Sequence, residues 1–287
     1  MLVRRAIALW LLLVLAAPAA AAPAMWVVKD ADTEITLFGT VHALKKADDW
    51  LSPAIAARLD AADTLVLEAV VPADKLALGS IIAEIGLREG QKPVVARVSK
   101  ELAPKVAPLA AKAGVPLLAL DRMDSWLAAI TLGEASLAAI GISAESGVEP
   151  ALEARARAAN KPVIGLETIE QQLRFFDALP EADQVAMLEA TLSDAGSARE
   201  ETDRLIALWK AGDVDAIARD FAREARASPL LTKVLLTDRN NRWADWIAGV
   251  MRRPGHVFIG VGAAHLGGDD GLIAALAKRG LVAEPFK

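Results

Sequence analysis

Ile35-Thr36-Leu37-Phe38-Gly39-Thr40-Val41-His42 runs from a strand-like segment straight into a glycine and, three residues on, a histidine. Downstream, Ser52-Pro53 has the form of a helix start: serine as N-cap, proline at the first helical position, then Ile55 and Leu59 on one face. Thr64-Leu65-Val66-Leu67 comes next, a continuous apolar run of the kind that parallel strands buried on both faces require, and it ends at Glu68. Strand, turn with histidine, helix, strand and glutamate make a βαβ unit.

The far end of the chain repeats that grammar. His256-Val257-Phe258-Ile259 reads as a strand and leads into Gly260-Val261-Gly262-Ala263-Ala264-His265, so a second Gly-x-x-His follows a second strand. Asp269–Lys278 reads as a helix capped by Gly280, with a strand at Leu281-Val282-Ala283. Met25–Asp30 and Glu34–Phe38 predict an opening hairpin around Asp30-Ala31-Asp32-Thr33. Short parallel-type strands are expected at Pro116–Leu120 and Pro162–Gly165. From about Glu181 to Val250 the apolar period is helical throughout. There Ser197-Ala198-Arg199-Glu200 has capping-box spacing, Leu205, Leu208 and Trp209 supply a buried face, Gly212 stops the helix, and Asp213 caps the next, which carries Ile217 and Phe221. The expected architecture is one α/β domain over residues 25–287, with a mostly parallel sheet and a helical insertion at about 181–250.

Residues 1–24 read as a leader. Arg4-Arg5, the apolar run Ala6–Leu15 and the small-residue tract closing in Ala22-Pro23-Ala24 have the order of a secretory signal peptide, and the run is well short of the ~20 residues a membrane span needs. Cleavage is expected before Met25, with a cut nearer Ala21 as the alternative, which places the protein in the periplasm or outside the cell. Removing two arginines and no acids takes the formal charge from −5 to −7. An acidic chain has no basic face for nucleic acid or anionic lipid, so neither nucleic acid nor membrane is expected as a partner of the mature protein. Cysteine is absent, which removes disulfides, thiolate zinc sites and cysteine nucleophiles. Histidines and carboxylates are left to carry the chemistry.

Of three histidines, two occupy the Gly-x-x-His turns at strand carboxyl ends, where open α/β sheets bind ligands. Gly39 and Gly262 let the chain turn and a ligand approach; two strand-end histidines satisfied by backbone carbonyls would leave the same pattern. His256 opens a strand and reads as a packing residue. Glu68 is a metal ligand, a general base or a partner for a helix N-terminus. Glu167 follows Val163-Ile164-Gly165-Leu166 in the same position, just outside the capping box Thr168-Ile169-Glu170-Gln171, so helix-dipole stabilisation competes with function there. Arg239, in Asp238-Arg239-Asn240-Asn241-Arg242-Trp243, is either a solvated arginine or a group that offsets an oxyanion.

Taken in order, Leu37–His42, the strand ending at Glu68, Gly165-Leu166-Glu167-Thr168 with Gln171, Arg239-Asn240 and Gly260–Leu266 resemble the TraB/GumN family, which includes the Tiki-like proteins, and the resemblance runs along essentially the whole mature chain. It implies two pseudo-repeated βαβ halves that bring the histidine turns together, a fold shared with erythromycin esterase and the haem-binding ChaN proteins. Tiki members are described as metal-dependent proteases, TraB-type members shut down peptide pheromones, and GumN-type members lie among polysaccharide genes. By position His42, Glu68, Arg239 and His265 match the functional set, with Glu167 a family-typical acid. Gly147-Val148-Glu149 departs from the pattern, which has aspartate where Glu149 stands, and Glu149 is given no role. The leading expectation is a metal-dependent hydrolase of peptides, His42 and His265 holding Zn, Mn or Co with Glu68 as third ligand or general base and Arg239 at the oxyanion. The competing expectations are a metal-free hydrolase, with a histidine base oriented by Glu68 and a peptide or small molecule as substrate, and a binding protein that sequesters a peptide or glycan under the helical insertion.

Overall fold

A computed structural model describes residues 22–224 and 229–286. The expected leader falls on residues 1–21, outside the described residues, except for its last three.

β1 (Met25–Lys29) and β2 (Thr33–Thr40) form the expected hairpin. Its turn is held by Asp30, whose Oδ1 accepts from the N–H groups of Asp32 and Thr33 at 3.2 and 2.9 Å, the local side-chain turn that aspartate favours. After β3 (Leu44–Lys45), helix α1 (Pro53–Ala61) begins at Ser52, whose Oγ accepts from Ile55 N–H, and it buries Ile55 and Leu59. β4 (Thr64–Ala69) comes next, with Leu65 to Glu68 all buried. Helices α2 (Lys75–Gly86), α3 (Ala103–Ala113), α4 (Leu117–Arg122) and α5 (Ser125–Ala138) lead to β5 (Ile142–Ser143), α6 (Val148–Ala158), β6 (Val163–Glu167) and α7 (Ile169–Asp177). The helical run consists of α8 (Glu181–Asp194), α9 (Ala198–Lys210), α10 (Val214–Glu224), α11 (Pro229–Thr232) and α12 (Asp238–Val250). β7 (Gly255–Gly262), α13 (Leu272–Ala277) and β8 (Glu284–Pro285) complete the chain.

The fold is α/β with a mostly parallel six-stranded sheet in the order β6-β4-β7-β2-β1-β8. β6, β4, β7 and β2 run parallel, and β1 is antiparallel to both its neighbours. β7 inserts between β2 and β4, so the strands that carry the two histidine turns are adjacent, with Gly39 opposite Val261 and Thr40 opposite Gly262. Four parallel strands therefore deliver their carboxyl ends to one edge: His42 just past β2, Glu68 in β4, Glu167 in β6 and His265 just past β7.

Side chains from both faces of this sheet fill the main core, where Phe38 lies 5.8 Å from Phe258 and stacks on Trp50 at 5.9 Å. Burying each such ring contributes about 1.5–3 kcal/mol. α9, α10 and α12 close over the sheet with Ile206, Trp209, Ile217, Trp243 and Ile247. α8 instead packs on α3 and α5, where Leu188 and Leu192 meet Val106, Leu109 and Leu132 in a second core.

Several local expectations are corrected. Pro116–Leu120 is not a strand: Pro116 sits at the N-cap of α4 and starts a helix. A five-residue apolar run has no period long enough to separate the two outcomes. Ser197 has helical dihedrals, and its hydroxyl donates to Asp194 O and Glu201 instead of capping α9. The buried face of α9 is Ile206 and Trp209, while Leu205 is exposed. The helix expected over Asp269–Lys278 is shorter. After it, Leu281 N–H returns to Leu276 O past the left-handed Gly280, a helix-terminating loop that delays the last strand to Glu284. The capping box at Thr168 and Gln171, and the Asp213 cap on α10, form as expected.

Candidate active site at the carboxyl edge of the sheet

Arg239 organises the centre of this edge. It enters from α12 immediately after a π-helical turn, Lys233–Thr237, which runs on from α11; an extra residue in a helical turn rotates the next side chains to a new heading and is common at functional positions. The guanidinium is buried. Its Nη2 donates to Glu68 Oε2 at 2.5 Å, its Nε to Glu167 Oε2 at 2.9 Å, and its Nη1 to Leu235 O and His265 Nε2, each at 3.1 Å. Trp243 lies under it at 4.6 Å. Glu167 also takes a bond from Arg242 Nη2 at 3.2 Å.

Glu68 spends its other oxygen on the turn of β7, accepting from Gly262 N–H at 2.7 Å. Burial alone would raise its carboxyl; His265, Arg239 and His42 more than reverse that and hold it at about 2, so it is a carboxylate throughout the working range.

The proton on His265 can be placed from its neighbours. Asn240 Nδ2 donates to Asp270 O at 2.9 Å, which turns Asn240 Oδ1, an acceptor only, to His265 Nδ1 at 2.7 Å. Nδ1 therefore carries the hydrogen, and the Nε2 lone pair accepts from Arg239. Burial pushes this imidazole down to about 3, against the pull of Glu68, and it is neutral. Trp243 packs on its ring at 4.4 Å.

His42 lives under opposite conditions. Its side chain is 68% exposed, and its Nδ1 bonds Glu149 Oε1 at 2.7 Å. Thr40 Oγ1 donates to the same carboxylate oxygen at 2.6 Å. The Glu149 charge raises His42 to about 9 in spite of the surrounding protein, and burial of Glu149 is in turn outweighed by His42, leaving that carboxyl below its ordinary range. Helix α6 brings Glu149 here because its first N–H, Val148, donates to Val41 O at 3.1 Å, and Gly147 passes directly against the His42 carbonyl. Glu149 is the group that sequence reasoning left without a role, and no role was singled out for Asn240 or for Gln172, whose Nε2 donates to Glu68 Oε2 and Glu167 Oε2, each at 3.4 Å. The departure from the family pattern at Gly147-Val148-Glu149 was the available signal for Glu149.

The two histidines approach one another across Gly262. A methyl placed on its Cα would lie 3.1 Å from Glu68 Oε1, 3.6 Å from His42 Nε2 and 3.7 Å from His265 Cδ2. A side chain there would press on Glu68, so glycine is what lets Glu68, His42 and His265 converge on this turn. The backbone around the other turn is tied from both sides, with Gly39 N–H donating to Ala24 O at 3.2 Å and Gly39 O accepting from Trp209 Nε1 at 2.8 Å.

The structure thus gathers His42, Glu68, Glu167, Arg239 and His265 on one edge. His256 stays apart, at the opposite end of β7. As placed, the donors do not fit a metal. Among the described residues no group of three or more histidines and carboxylates is spaced to hold one, and the guanidinium already takes one Glu68 oxygen and the free His265 nitrogen.

An open parallel sheet with two Gly-x-x-His turns, a buried glutamate and an arginine converging on its carboxyl edge defines a class of α/β proteins. Residues 24–285 match the TraB/PrgY/gumN family, and the chain belongs to that family. It is 25% identical over 250 residues to the uncharacterized protein YbaP of Escherichia coli (strain K12), covering 87% of this chain and 90% of that protein, and equally to YbaP of Shigella flexneri. No solved structure matches the chain.

Proposed function

We propose that this protein is an exported hydrolase that cleaves the carbonyl bond of a peptide or ester with a water activated by His42. One observation carries the proposal: His42 is bonded through Nδ1 to Glu149 on an exposed side chain, which leaves Nε2 on the side of Gly262 without a protein partner among the described residues. That is the disposition of a base held by an orienting acid. Water attacks the carbonyl carbon while Nε2 takes its proton; the imidazolium then returns the proton to the leaving amine or alcohol, and the products are a carboxylic acid and that group. Arg239 is buried and committed to four acceptors, so its part is to hold Glu68, Glu167 and His265 in place, in contrast to the oxyanion role expected from sequence. Neutral His265 and anionic Glu68 border the reacting water.

A second reading, a metal-dependent peptidase, is favoured by the convergence of His42, Glu68 and His265 on Gly262. It requires Arg239 to release Glu68 and His265, with Zn, Mn or Co as candidate ions.

The test uses the purified mature protein, p-nitrophenyl acetate and a mixed peptide library, with elemental analysis for metal. Turnover that is indifferent to chelation, lost in His42→Ala and reduced at least tenfold in Gly262→Ala, whose methyl would crowd Glu68 Oε1 and approach His42 Nε2, supports the proposal. Stoichiometric metal with chelator-sensitive turnover transfers it to the second reading. Absence of turnover, with peptide binding undiminished in a His42→Ala/His265→Ala variant, sinks both and leaves a sequestering protein.

A further inference from the structure

Beside the histidine edge, between the end of β6 and the facing sides of α7 and α12, lies a cavity of about 280 Å³. Leu166, Phe175, Trp243 and Trp246 give it apolar and aromatic walls, and Glu167, Gln171 and Arg242 stand at its polar side. None of these walls serves the proton transfer at His42.

Two contacts join the cavity to that chemistry. Trp243 is shared, one ring packing on His265 at 4.4 Å while also lining the cavity. Glu167 is shared as well, since it lines the cavity and bonds Arg239 at 2.9 Å. Both links run through buried side chains, Trp243 to His265 and Glu167 to Arg239, so the cavity adjoins the cluster that borders Gly262.

The chemistry of the walls selects the occupant. Aromatic and aliphatic surfaces with a single charged pair favour an apolar side chain over a polar one. The volume suits a ring the size of phenylalanine or tyrosine. Trp243 is 2% exposed and gives the cavity a fixed, buried wall. Arg242 is half-exposed, stacks 5.3 Å from the Phe175 ring and spends one nitrogen on Glu167, which leaves guanidinium N–H groups facing outward. Those groups suit a backbone carbonyl or a carboxylate next to the seated side chain.

We infer that this cavity is the specificity pocket of the site and takes an aromatic side chain from a peptide substrate, with Arg242 engaging a neighbouring carbonyl. The inference rests on the hydrolase reading for its cleavage step, but occupancy of the pocket can be measured without any turnover.

The experiment titrates uniformly ¹⁵N-labelled protein with N-acetyl-phenylalanine amide, N-acetyl-alanine amide and N-acetyl-glutamate amide, and tracks the tryptophan indole N–H resonances, the Trp246 signal being assigned by its loss in Trp246→Ala. The phenylalanine probe is expected to bind at least about tenfold more tightly than the alanine probe and to shift the Trp246 signal, the discrimination an apolar pocket of this size gives. Leu166→Trp, which fills the cavity, is expected to abolish that preference. Phe175→Ala, which removes one wall from the surface of α7, weakens it and serves where the first variant does not fold. Equal affinity for the alanine and phenylalanine probes, or a preference that survives both substitutions, overturns the inference. Selective binding without turnover of any phenylalanine-containing peptide refutes the hydrolase reading and leaves the pocket standing. Turnover with no preference for aromatic residues does the reverse.

Discussion

His42 and His265 come from the same four-residue pattern, yet the protein gives them opposite proton affinities. His42 is exposed and answers to Glu149; His265 is sealed between Trp243, Arg239 and Asn240 and stays neutral down to about pH 3. This division predicts the pH profile. With His42 at about 9, only about 1% is free base at pH 7, so kcat/KM should rise roughly tenfold per unit from neutrality and level off near pH 9. Glu149→Gln removes the charge that raises His42, and its profile should level off near the ordinary histidine value with a lower plateau. An unshifted profile in that variant removes His42 from the role of base. Stability carries the same signature on both sides. His42, raised in the fold, contributes fully below about 6.5 and loses its contribution as pH climbs through about 9. His265, depressed to about 3, costs stability as pH falls below about 6.5, because the unfolded chain takes the proton and the fold does not. Urea midpoints should therefore decline in both directions from about pH 6.5, and Glu68 adds to the acid side below 4.5.

Three elements meet in Arg239: β4 through Glu68, β6 through Glu167, and α12, which carries it past the π-helical turn. Arg239→Ala leaves two buried carboxylates without their counter-charge and should cost about 3–5 kcal/mol in denaturant unfolding. A loss under about 1 kcal/mol would mean that Arg242 and Gln172 suffice to hold them. Elements of this kind differ in how much their sequences reveal. β4 and β7 were legible because strands buried on both faces are continuously apolar, and α1 because serine and proline mark its start. Pro116–Leu120 was not, since five apolar residues satisfy a strand and a helix turn equally well and only the packing of Leu120 into the second core decides. Ser197 has the right spacing for a cap but comes so soon after Asp194 that its backbone is already helical. The π-helical turn leaves no pattern in Lys233–Thr237.

Across the whole molecule, the repeated strand-turn-histidine grammar was enough to anticipate the parallel sheet and the residues gathered at its edge, because parallel strands share one carboxyl end. The departure at Gly147-Val148-Glu149 marked Glu149 but not its partner, for the complementary reason: it arrives from 107 residues away, on a helix whose approach is set by one backbone bond to Val41 and by the lack of a side chain at Gly147. No helix among the described residues is long and apolar enough to cross a membrane.

Gly39 donates its N–H to Ala24, a residue of the expected leader, and Pro23 just before it is buried. Removal of the expected leader would thereby bear on the geometry of the His42 turn. Severing the chain after Ala24 would strip that acceptor and set a new ammonium group against β2. Severing it after Ala21 would keep both residues as the selvedge of the sheet. If the expected leader is cleaved, intact-mass measurement of the product should accordingly find Ala22 as its first residue. A product starting at Met25 would show instead that the turn holds without its edging.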